Sequence, residues 1–143
     1  MDNELLNSAI VVVYNSVREC QIQITPAQLE SILPQLDAYN DFNPDQVNAG
    51  VCQINKTIPV IDFGNTDYGT PNPNNGRVHH HFLIGVEGST VLYLQIRKAY
   101  MPKNFNYEKL EAELKNIAQF MKADEYWITN NDQREFIYRF WWD

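Results

Sequence analysis

Residues 78–98 constrain the fold most, because two runs of alternating side chains meet at a glycine. Val78, His80, Phe82 and Ile84 share one parity before Glu87-Gly88, and Leu92, Leu94 and Ile96 share one parity after it. A period of two is the signature of a half-buried strand, so the segment reads as a β-hairpin. Parity then selects the turn. A two- or four-residue loop would set the apolar face of one arm against the polar face of the other. A three-residue loop over Val86, Glu87 and Gly88 keeps the apolar faces together and puts Gly88 in the left-handed position such loops require. The expected register sets Ile84 opposite Thr90, Phe82 opposite Leu92, His80 opposite Leu94 and Val78 opposite Ile96.

A helix should follow, capped by Asn106 and burying Leu110, Leu114, Ile117, Ala118 and Met121 at gaps of 4, 3, 1 and 3. Residues 126–129 and 135–142 read as a second hairpin turning at Asn131-Asp132, with Trp127 opposite Phe136 and Tyr126 opposite Ile137. The last strand is apolar on both faces, which suits a central position. Nearer the N-terminus, Leu6, Ala9, Ile10, Val13, Val17 and Cys20 mark one helical face, with a strand over residues 10–14 the alternative that β-branched Val11 and Val12 leave open. Thr25-Pro26 starts a second helix with Leu29, Ile32, Leu33 and Leu36 buried, ending where Pro34 interrupts it. Asn43-Pro44 looks like a cap before a short turn, and residues 49–61 could form an edge strand with Pro59. Residues 62–77, rich in Gly, Pro and Asn, read as a long loop. The expected architecture is a single α+β domain over residues 1–143. It comprises a mainly helical acidic part (1–48), then a ββαββ unit with an antiparallel sheet of about four strands and one helix packed on it.

Charge narrows the function. The net charge is −7, and residues 1–48 carry seven acids against Arg18 alone. Nucleic acid would need clustered Lys and Arg, so it is not an expected ligand. A basic protein is the charged partner this balance favours. The N-terminus is acidic where a secretion signal is basic, and no apolar run reaches membrane-spanning length, so a cytoplasmic chain with reduced cysteines is expected. Cys20 and Cys52 are read as small buried hydrophobes.

No catalytic constellation emerges, nor any cofactor motif. His79-His80-His81 cannot act as one cluster, because alternate residues of a strand face opposite ways. His80 belongs to the core. His79 and His81 fall on the other face with Tyr93, Gln95 and Arg97 as cross-strand companions, a row too polar for closed core. A metal there would need a third ligand such as Asp62 or Asp67, and no metal is expected. Cys52 has no local base, Glu108, Glu111 and Glu113 form a solvated helix face with Lys109 and Lys115, and Asp62-Phe63-Gly64 lacks every companion motif of a kinase. These absences favour a non-enzymatic binding protein, of the inhibitor or immunity type from a bacterium or phage, that contacts another protein through Asp37, Asp41, Asp45 and Trp141. The alternative is a small-molecule binder or small enzyme with a pocket between the 62–77 loop and the face of His79, His81, Tyr93 and Arg97.

Overall fold

The computed structural model describes residues 22–58 and 80–143. The helix expected over residues 6–20, the long loop and His79 lie outside them. Among these residues five strands form one antiparallel sheet: β1 (Ile22–Ile24), β2 (His80–Glu87), β3 (Ser89–Arg97), β4 (Glu125–Asn131) and β5 (Glu135–Trp141), in the order β1-β2-β3-β5-β4. The helices among the described residues are α1 (Pro26–Ile32), α2 (Pro44–Thr57) and α3 (Tyr107–Phe120), with short 3₁₀ turns at Leu33–Gln35 and Lys98–Tyr100. The class is α+β as expected. The sheet gains a fifth strand because Ile22–Ile24 pairs along β2, setting Ile24 opposite Phe82. Three residues are too few for a periodicity, so only the tertiary contact reveals this strand.

Local signals placed three helix starts. Thr25 accepts from the Gln28 amide while Gln28 reaches back to the Thr25 amide, a reciprocal capping box. Asn106 accepts from the Lys109 amide, and Asn43 accepts from the amides of Asp45 and Gln46. The Asn43 cap opens a full 14-residue helix rather than a short turn, and the edge strand considered for residues 49–61 is absent from the described part. Val47, Val51, Ile54 and Ile58 recur at gaps of 4, 3 and 4, and all are buried. Gly50 hid that helix by its low propensity, yet packing needs it. A Cβ built there would collide with the Met121 side chain just beyond α3, so the glycine lets α2 approach the end of α3.

The core lies between these helices and one sheet face. Phe82, Ile84, Leu92, Leu94, Ile96, Phe136, Tyr138, Phe140 and Trp142 are all buried there against Leu29, Ile54, Leu114 and Ile117. His80 joins them at 6% exposure, its Nε2 donating to Asn55 Oδ1 at 2.7 Å, on the core face its parity implied.

Two registers differ from expectation. Gly88 has the left-handed φ of +74°, but the turn centres on it, so His80 pairs with Ile96, Phe82 with Leu94, Ile84 with Leu92 and Val86 with Thr90. The slide is two residues, which preserves parity and hence the buried face. A contact from outside the hairpin accompanies this register: the Tyr39 hydroxyl lies 2.7 Å from Ser89 Oγ, donates to Thr90 Oγ1 at 2.6 Å and accepts from the Thr90 amide at 2.9 Å. In the second hairpin Tyr126 pairs with Phe140 and Trp127 with Arg139, not Ile137 and Phe136. A bulge between Ile128 and Asn130 supplies the extra residue, which exchanges the faces of everything before it. Trp127 therefore leaves the core face.

Candidate functional site

The face of the sheet opposite the core carries the polar chemistry. Alternation sends Leu83, Tyr93, Arg139 and Trp127 to one row, one residue from each of β2, β3, β5 and β4. Arg139 stands on the second strand from the sheet's β4 edge, with its side chain only 10% exposed. A guanidinium so placed must be compensated on every side. Its Nε and Nη2 donate to Glu87 Oε1 at 3.1 and 3.0 Å, and its Nη1 donates to Glu125 Oε1 at 3.2 Å. The plane lies 4.6 Å from the Trp127 ring centroid and 6.0 Å from that of Trp141. Tyr93 donates its hydroxyl to Glu87 Oε2 at 2.6 Å, and the Trp141 indole donates to the Glu87 carbonyl at 2.9 Å.

Charge assignments follow from these contacts. Burial alone would weaken the Arg139 charge, but hydrogen bonds to Glu87, Tyr93 and Glu125 outweigh it and raise its pKa. Burial, then the Glu87 carboxylate, raises the Tyr93 phenol, which stays a donor at neutral pH. The row is a fixed scaffold of a cation, two carboxylates and a phenol. Trp127 is its outermost member at 46% exposure.

The residues expected to form one binding row are divided by the register. Tyr93 belongs to the Arg139 scaffold, opposite Leu83 rather than His81. His81 faces Gln95, and Gln95 Nε2 donates to Glu135 Oε1 at 2.6 Å. Burial first, and the neighbouring Arg97 second, lower the His81 pKa and favour the neutral ring. Arg97 is exposed at the end of β3, where it lines a groove with Lys98, Tyr100 and Arg134.

The residues expected to meet a partner lie closer together. Asp37, Asp41 and Asp45 are exposed. Asp41 sits in the two-residue turn closed by Tyr39 and Phe42, where Asn40 takes a positive φ of 46° and donates to the Asp143 carbonyl at 3.0 Å. The Asp143 amide in turn donates to Asp124 at 2.8 Å. Asp45 opens α2, whose Gln46 donates to the Phe120 carbonyl at 2.6 Å, at the end of α3. These ties gather Asp41, Asp45, Asp124, Glu125 and Asp143 at one end of the sheet, beside exposed Phe120. Trp141 is half-buried, and Trp142 is fully buried with its indole donating to the Met121 carbonyl. The exposed tryptophan is Trp127, which the expected register sets opposite buried Phe136; the bulge that moves it carries no residue signature.

Cys52 is half-buried rather than fully enclosed. Its thiol donates to Glu30 Oε1 at 2.7 Å, and burial followed by that carboxylate pushes its pKa up to about 11. It is a thiol at neutral pH, the wrong state for a nucleophile. Among the described residues no helix is long and apolar enough to cross a membrane. Comparisons with protein-family models, curated proteins and solved structures find no match.

Proposed function

We propose that this protein is a non-enzymatic binding protein that contacts a basic protein partner through the acidic end of its sheet, as an inhibitor or immunity-type protein does. The observation that supports this most is Trp127, an exposed indole held in place by stacking on a nearly buried, doubly ion-paired arginine. Tryptophan and arginine dominate the energetics of protein interfaces, and a rigid anchor loses little entropy on binding. At the same end of the sheet, where β4 begins, Glu125, Asp124, Asp41, Asp45 and Asp143 supply the field that would steer a cationic surface towards this end and suppress acidic competitors.

The test compares affinity capture from the native host by three forms: the wild type, Trp127→Ala, and the triple reversal Asp41→Lys, Asp45→Lys, Asp124→Lys. A specific partner should be retained by the wild type and lost from Trp127→Ala. With the recovered complex, the charge reversal should slow association and flatten its dependence on salt. Capture that is indifferent to both variants, each shown to be folded by circular dichroism, defeats the proposal.

A further inference from the structure

The end of the sheet opposite the acidic cluster has the reverse character. There the C-terminus of β3 and the turn before β5 enclose an open groove of about 430 Å³, lined by Arg97, Lys98, Ala99, Tyr100, Gln133, Arg134 and Glu135. Three of its side chains are cations, in a chain whose net charge is −7. From this we infer that the groove is a site for a small phosphate-bearing ligand.

The geometry supports an anion in three ways. First, both ion pairs among the described residues belong to Arg139, so neither Arg97, which pairs across the strands with Glu135, nor Arg134 is in salt-bridge contact with a carboxylate of that part of the molecule. The one carboxylate in the groove, Glu135, accepts instead from Gln95. Second, the walls are pre-set. Asp132 Oδ1 accepts the amides of Arg134 and Glu135 at 2.8 and 2.9 Å, and the Lys98 amide donates to the Arg134 carbonyl at 2.9 Å. Lys98 is itself held, its ammonium donating to Asn131 Oδ1 and lying 4.7 Å from the Tyr107 ring centroid. Third, two guanidiniums and an ammonium outnumber Glu135 and the neighbouring Asp132 of the same turn, so the groove keeps a positive surplus suited to an anion. Arginine's planar fork matches phosphate oxygens, and the volume falls in the range that small-molecule sites occupy.

The experiment titrates pyrophosphate into the isotopically labelled full-length protein at constant ionic strength, with chloride as the control, and follows backbone amide shifts. Saturable shifts confined to residues 97–100 and 133–135 are expected, absent with chloride. The double variant Arg97→Gln, Arg134→Gln should weaken binding at least about tenfold. Should that variant fail to fold, Arg134→Gln alone, altering one exposed turn residue, should weaken it measurably. Shifts that never saturate, or affinity unchanged in the folded variants, would overturn the inference.

Discussion

Arg139 and Glu87 meet at 3.0 Å across the outer face of the sheet, although Glu87 closes the first hairpin and Arg139 stands on the last strand. The contact binds the two halves of the sheet on the side away from the core. The Arg139 side chain is 10% exposed, but Glu87 and Glu125 remain 35% and 46% exposed. Arg139→Met should therefore cost about 1–2 kcal/mol, below the penalty for breaking a fully buried pair, because the orphaned carboxylates keep much of their hydration. Urea denaturation measures it. A double-mutant cycle with Glu87→Gln should return a favourable coupling, and a coupling of zero would show the two residues to be merely adjacent.

Gly50→Ala sets two effects against each other. Alanine gains up to about 1 kcal/mol of helix propensity, whereas overpacking a closed core costs about 1–3 kcal/mol. The added methyl would run into Met121, which is 1% exposed and has little room to retreat. Overpacking should win, with a net loss of about 1 kcal/mol. A gain in stability would show that Met121 rearranges freely.

Gly88→Val tests the hairpin turn. Nothing lies within 4 Å of a Cβ placed there, so the whole cost comes from the φ of +74°. It should be about 1 kcal/mol or more, because β-branched residues are strained in that region, while Gly88→Asn should cost less. Equal melting temperatures for the two variants would contradict the assigned turn.

Cys52 should resist alkylation. With its pKa near 11 against an ordinary 9.0, the folded thiol stays protonated where an unfolded one ionises. Iodoacetamide should modify it more slowly than a free cysteine at pH 8.5, as followed by peptide mass mapping, and Glu30→Gln should speed the reaction. The linkage has a definite sign. In the unfolded chain the thiol loses its proton near pH 9, in the folded chain only near 11, so the contribution is complete below pH 9 and is lost as pH rises through 11.

Much of the fold was legible because its signals are local. Thr25, Asn43 and Asn106 advertise helix starts through side chains that reach amides two or three residues away, and the alternation in residues 80–96 marks two strands and their buried face. The candidate site was not legible in the same way. Its scaffold joins Glu87, Tyr93, Glu125, Trp127 and Arg139 from four strands, and their meeting depends on registers that parity restricts without choosing. The first hairpin shows the restriction: the slide of two kept Ile84 and Leu92 on the core face but moved Tyr93 away from His81.

The sequence by itself determined the α+β class, three helix starts and the inward face of the first hairpin, since propensity, capping and periodicity act over a few residues. Tertiary structure alone decided that Ile22–Ile24 becomes a strand, that residues 44–57 close into one helix against Met121, and that Trp127 faces solvent. The last turned on a single extra residue in β4, and because strand side chains alternate, that one residue exchanged core for surface.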